Sequence, residues 1–202
     1  MGYLFNGVED TGVPMKIIES IIEGFNVPFF IETGTASGHS IVEASKKFKF
    51  CHTIELIQDR ETVEIENKNI EFHKGDSIQL IPKILKEIGN EYVVFWLDAH
   101  YSETVPADED CIECPIIEEI EATKSNQKAI ILIDDARFFL GATPYPMNPN
   151  KWASILEVFN CLQKNFPKHH ITIIDDYVVA IPIEMKGNLN KYWLETFDIR
   201  YK

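Results

Sequence analysis

Apolar residues in this chain follow two rhythms. Ile17, Ile18, Ile21, Ile22 and Phe25 recur at three- and four-residue spacing, which predicts an amphipathic helix over 14–25. Short apolar runs then alternate with further helical patterns. Phe29 to Thr33 reads as a strand, Ser40 to Lys47 as a helix, Phe50 to Glu55 and Ile70 to His73 as strands, and Ile78 to Ile88 as a helix. "YVVFWL", Tyr92 to Leu97, and "AIILI", Ala129 to Ile133, are apolar throughout. That is the pattern of parallel strands covered on both faces. Pro115 suits the first turn of a helix running to Thr123. Trp152, Ile155, Leu156, Phe159 and Leu162 mark a later helix. Ile171 to Ile174 and Tyr177 to Ile181 predict an antiparallel pair joined at an Asp175–Asp176 turn.

Strands that alternate with helices predict an α/β fold around one mainly parallel sheet, with helices on both faces. The chain reads as one domain over 1–202: helix 14–25, a core over 28–182 and a tail over 183–202. In open sheets of this kind, ligands bind beyond the carboxyl ends of the strands. The residues at or just past those ends are Glu32, Glu55, Asp76, Asp98 and Asp134, and all are acidic.

Composition narrows the partners. At 45% hydrophobic and 25% charged, the 202 residues are of ordinary globular make-up. No apolar run is long enough for a membrane helix. "MGYLFNGVEDTG" lacks the basic start and long apolar core of a signal peptide, so the expected location is cytoplasmic. Nineteen basic against 32 acidic residues give a net charge of −13, which disfavours nucleic acid as a partner. Cys111 and Cys114 form a C-x-x-C with no second such pair to complete a zinc site, and all four cysteines, Cys51 and Cys161 included, read as free thiols.

"FFIETGTASGHS" follows the first strand. No lysine follows Gly38, so it is not a phosphate-binding P-loop, and the spacing of Gly34 and Gly38 does not fit G-x-G-x-x-G. Glu32 would repel phosphate and attract a cation or an amine. With these residues the stretch resembles motif I of class I S-adenosylmethionine-dependent methyltransferases, with Ala36 where that family has its middle glycine. The resemblance implies a Rossmann-like sheet of seven strands, the last antiparallel. It also implies a cofactor held by Glu32, Gly34, Thr35, Ala36, Ser37 and Gly38, by Glu55 at the ribose, by Asp76 and Ser77 beside the adenine, and by Asp98.

"FWLDAHYS" and "ILIDDARFF" carry a second constellation. If those two strands are neighbours, Asp98, Asp134 and Asp135 meet at one edge, where close carboxylates call for a cation. Oxygen donors favour Mg²⁺, then Mn²⁺ or Ca²⁺. The arrangement is similar to the catechol-type and, more closely, the macrocin-type O-methyltransferases. That resemblance implies Mg²⁺ held by Asp98, Asp134 and Asp135, with His100 as general base toward a hydroxyl of a small metabolite such as a sugar or glycoside. Other readings stay open. The enzyme could be a metal-independent methyltransferase, "LDAH" could be the D-x-H motif of a glycosyltransferase, or the domain could bind the cofactor without catalysis. His100 could equally order its loop or ligate the metal.

Several further expectations follow. His39 reads as a pocket wall or helix start, and His169 and His170 as surface residues before a strand. "CPIIEEIEA" should bury its isoleucines and expose its glutamates. Arg137 and Phe138 are candidates for the substrate mouth, and Phe139, Tyr145 and Trp152 either for a lid or for a simple cover of the sheet edge. Loops 101–114 and 136–150 are the candidate acceptor-recognition segments. The aromatics of "NKYWLETFDIRYK" fit either a homo-oligomer contact or a tail that folds back on the domain.

Overall fold

The runs read as strands in the sequence all become strands. The computed structural model describes residues 12–57, 67–100, 113–141, 143 and 147–200, with side chains of the last helix described to Thr196. The strands are Phe29–Thr33 (β1), Phe50–Glu55 (β2), Ile70–Lys74 (β3), Val93–Leu97 (β4), Ala129–Ile133 (β5), His169–Ile174 (β6) and Tyr177–Pro182 (β7). They form one sheet in the order β3-β2-β1-β4-β5-β7-β6. β1 pairs parallel with β2 and β4, β2 with β3, and β4 with β5. β7 runs antiparallel to both β5 and β6, so the reversed strand is the last one, as expected.

Helices on both faces explain the unbroken apolar strands. Val93, Phe95 and Leu97 point into one core with Ile31, Ile54 and Ile131. Ser77–Ile88 (α3), Ile116–Thr123 (α4) and Ile155–Asn165 (α6) cover it. Val94 and Trp96 point the other way, with Phe30, Ile130 and Leu132. There Met15–Ile21 (α1), His39–Ser45 (α2) and Lys186–Arg200 (α7) form the cover.

Local chemistry moved some boundaries. α6 begins at Ile155 because Ser154 caps it: its hydroxyl accepts the Glu157 N–H, and the Glu157 carboxylate accepts the Ser154 N–H at 2.8 Å. Trp152 therefore precedes this helix and is not part of it. The segment from 136, expected as loop, opens with a short helix, Ala136–Leu140 (α5). The tail folds back: Asn188 Nδ2 donates to Ile21 O at 3.0 Å and to Glu23 O at 2.8 Å, while Tyr192 and Trp193 pack on the second core. On α4, Glu118 is exposed but Glu119 is 1% exposed, against the expectation that the glutamates face solvent. His169 is no free surface residue either, since it starts β6 and sets Nε2 2.8 Å from Ala129 O. Among the described residues, no helix is long and apolar enough to cross a membrane.

Candidate active site

The glycine loop is pinned between two strand ends. After β1, Gly34 takes φ +80°, and a Cβ there would stand 2.6 Å from the backbone oxygen of Asp98. Only glycine meets both demands. Ala36 (φ 43°) and Gly38 (φ 78°) also take left-handed backbone, and Gly38 starts α2. For Ala36 that backbone is costly, which is why a glycine suits this position better.

Glu55, ending β2, faces this loop. Its Oε2 accepts from Thr35 N–H at 3.1 Å and Ala36 N–H at 3.4 Å, and its Oε1 accepts from Ile57 N–H at 3.1 Å. Glu32 lies underneath. It is 1% exposed and accepts from the Thr53 hydroxyl at 2.7 Å, and Thr53 in turn pairs with the Thr35 hydroxyl at 2.6 Å. Burial pushes Glu32 up to about 8 against the pull of Thr53, with Asp98 and Glu55 adding to the rise. Glu32 therefore braces the loop from below through Thr53, and its burial disfavours the charged form. Asp76 caps α3, accepting from Ile78 N–H at 2.9 Å, and Ser77 is buried at the helix start. His39 is exposed at the start of α2, 3.1 Å from the Ser37 hydroxyl.

Asp98 and Asp134 follow the neighbouring strands β4 and β5. Asp98 N–H donates to Thr33 O and Asp134 N–H to Leu97 O, each at 3.3 Å. Asp135 takes left-handed backbone, φ 55°, which turns the chain into α5. Strain of this kind in a non-glycine residue costs about 1–3 kcal/mol and persists where the surroundings hold it. Here they do. His100 Nε2 lies 2.8 Å from Asp135 Oδ2 and 3.2 Å from Asp98 Oδ1. Arg137 reaches Asp135 Oδ1 at 2.6 Å and forms an ion pair with Asp176. Asp176 also accepts the Arg137 N–H at 2.9 Å, so the β6–β7 turn anchors α5. Arg137, expected at the substrate mouth, is engaged in this network.

His100 packs against Trp152 and Phe138, with ring centroids 5.7 and 6.3 Å away. Burial alone would lower its pKa. Its hydrogen bonds to Asp135 and Asp98, with their charges, outweigh that and raise it to about 11. In this arrangement His100 is an imidazolium held between two carboxylates.

That geometry bears on a metal. An octahedral Mg²⁺ with oxygens at about 2.0–2.1 Å keeps any two ligands within about 4.2 Å. Among the described residues, Asp98, Asp134 and Asp135 do not form a group whose donor atoms all lie within 4.8 Å, with or without His100. Asp134 Oδ1 accepts its neighbour's N–H, from Asp135, at 2.8 Å. The expected three-carboxylate cage is thus not assembled. His100 and Arg137 supply the balancing positive charge.

Sequence reading missed Glu119. Its Oε2 accepts from the Thr33 hydroxyl at 3.3 Å, and its buried Oε1 has no partner. Burial raises it to about 8, partly offset by the Ser77 and Thr33 hydroxyls, with Asp98 and Asp76 raising it further. It lines a small pocket with Asp98, His100, Cys114 and Asp134. A wider cleft of about 280 Å³ lies beside it, walled by Phe138, Leu140, Thr143, Pro149, Trp152 and Glu157. Trp152 Nε1 and Thr143 Oγ1 in this cleft are buried without partners. Loop residues 101–112, Cys111 and Tyr145 lie outside the described residues. Cys114 is a free thiol that burial pushes up to about 12.

No family model and no curated protein matches this chain. Solved structures do. Human methyltransferase-like protein 13, in complex with SAH, is similar over 86% of this chain and 84% of its own, with TM-score 0.51 and 12% identity. A SAM-dependent methyltransferase from Anabaena variabilis ATCC 29413 is similar over 84% of each chain, with TM-score 0.48 and 13% identity. MycE, a methyltransferase of the mycinamycin biosynthetic pathway in complex with Mg, SAH and mycinamycin VI, aligns with 84% of this chain and 45% of its own, with TM-score 0.49 and 10% identity. The strand order and the first of these likenesses show the fold: this chain has the fold of class I S-adenosylmethionine-dependent methyltransferases.

Proposed function

We propose that the protein transfers a methyl group from S-adenosylmethionine to a hydroxyl of a small acceptor, of the sugar or glycoside class. One observation carries this reading: Asp98 links the glycine loop to the wall of the cleft. Its backbone oxygen backs the loop at Gly34, and its carboxylate holds His100, whose ring packs on Phe138 and Trp152 of that wall. In this reading the donor seat and the acceptor cleft are joined through Asp98 and His100, which would bring the two reactants together.

The residues fit the donor. Gly34 to Gly38 leave a side-chain-poor turn, and Glu55 stands over it with carboxylate oxygens suited to vicinal hydroxyls. Bound S-adenosylmethionine would supply an electrophilic methyl on a sulfonium. On the other side, Phe138 and Trp152 offer apolar walls to an acceptor. The cleft sits just below the range of about 300–1,000 Å³ usual for ligand pockets, which suits a small molecule.

With S-adenosylmethionine bound, transfer would join the acceptor oxygen to the methyl carbon as the carbon–sulfur bond breaks, its electron pair staying on sulfur. The hydroxyl proton leaves to the unit of Asp98, His100 and Asp135. His100 accepts it only after passing its own proton to a carboxylate of that unit. A second reading adds Mg²⁺, because Asp98 and Asp135 are oxygen donors already flanking a positive nitrogen.

The test is transfer of labelled methyl from S-adenosylmethionine to a panel of sugars, glycosides and catechols. The reading expects label in an O-methyl group, lost in Asp98→Asn. No label in that panel, with label on amine acceptors assayed beside it, overturns it.

A further inference from the structure

We infer that His52, Glu71 and His73 form a transition-metal site, of the class that takes Zn²⁺, at the open edge of the sheet. It shares no residue with the Asp98 cluster and goes beyond the proposed methyl transfer.

Strand register builds it. β3 is an edge strand, and its parallel register with β2 sets Glu71 opposite His52 and His73 opposite Ile54. Side chains two apart on a strand share a face, so all three project together. His52 Nδ1 lies 3.0 Å from His73 Nε2, with the rings stacked at 5.2 Å. Glu71 Oε2 is 3.6 Å from His52 Nδ1, and Oε1 is 3.8 Å from His73 Nε2. Among the described residues, this is the set of three His, Cys, Asp or Glu donors that lie within 4.8 Å of one another.

These lengths suit one ion. A tetrahedral Zn²⁺ with ligands at about 2.0–2.1 Å sets its donors about 3.3–3.4 Å apart. The nitrogen pair at 3.0 Å and the two Glu71 oxygens, one 3.6 Å from His52 and the other 3.8 Å from His73, bracket that value. The two imidazole nitrogens lie at hydrogen-bond distance, and an ion would replace that contact from a position to one side of the line between them. Two imidazoles and a carboxylate favour Zn²⁺, Cu²⁺ or Ni²⁺ over the oxygen-seeking Mg²⁺ and Ca²⁺. The histidine side chains are mostly buried, at 12% and 18% exposure, so they are held in place. Glu71, at 64%, opens the fourth position to water. Glu87 of α3 adds negative charge toward His52. An ion here would fasten the edge strand to β2, and so tie the strand before Asp76 to the strand that ends at Glu55.

The experiment titrates the metal-stripped full chain with ZnCl₂ by calorimetry and with CoCl₂ by visible absorption. One ion per chain and a tetrahedral Co²⁺ spectrum are expected, and excess MgCl₂ should not displace the Co²⁺. Removing even an outer partner of a metal ligand costs about 10–100-fold in affinity. His73→Gln should therefore weaken Zn²⁺ by at least about 100-fold, and Glu71→Gln by at least about tenfold. Glu71 is largely exposed, so that variant stays informative if His73→Gln misfolds. Absence of Zn²⁺ binding, or binding that neither substitution weakens, overturns the inference.

Discussion

Glu119→Gln isolates the least expected residue of the site. In the fold this carboxyl sits at about 8, whereas its ordinary value is 4.5, because burial penalises its charge. A group raised in the folded state contributes stability that is fully present below about pH 4.5 and is lost as pH rises through about 8. At about 1.36 kcal/mol per tenfold change in proton binding, the loss approaches 4–5 kcal/mol for this one residue. Glutamine mimics the protonated form and does not titrate. Its unpartnered Oε1 position would receive either the amide oxygen or the NH₂, an offset of about 1–3 kcal/mol that does not change with pH. The slope is therefore the signal. Urea unfolding followed by circular dichroism should show the variant gaining on the wild type by about 4 kcal/mol between pH 5 and pH 9. Parallel stability curves across that window would refute a buried, protonated Glu119.

Other predictions concern the loop and the charge network. Gly34→Ala should destabilise the chain by more than the roughly 1–2 kcal/mol of left-handed backbone alone, because its Cβ also meets the Asp98 oxygen; thermal unfolding measures it, and an unchanged midpoint counts against the loop geometry. Asp135→Asn removes a hydrogen bond that raises His100, so the imidazole should titrate at lower pH than in the wild type, where it stays charged through about pH 9; NMR titration reads both, and identical curves contradict the pairing. The assembled His100–Asp135 pair predicts that methyl transfer survives EDTA. A loss restored by added Mg²⁺ would favour the metal reading instead.

Much of the fold was legible because its strands are buried on both faces: "YVVFWL" and "AIILI" have no polar position to mislead. Helix ends were less so, since Ser154 and Glu157 cap α6 through hydrogen bonds that apolar spacing does not encode. Glu119 looked like one of several surface glutamates. Yet Ile116, Glu119, Ile120 and Thr123, the buried face of α4, follow the helical period, and that spacing could have singled it out. The acids at the strand ends were found, but not their charge balance. That balance depends on Asp176 arriving from the β6–β7 turn to fix Arg137, and on His100 folding between Asp98 and Asp135. His52 and His73 carried no motif, because only the β2–β3 register makes them neighbours.

The proposed function requires that the β1 loop and Glu55 seat S-adenosylmethionine. Calorimetric titration of the wild type and Glu55→Ala measures this. One binding site per chain is expected, weakened at least about tenfold when the hydrogen bonds that Glu55 accepts are lost. A folded wild type that shows no binding, or a variant that binds as tightly, would contradict it.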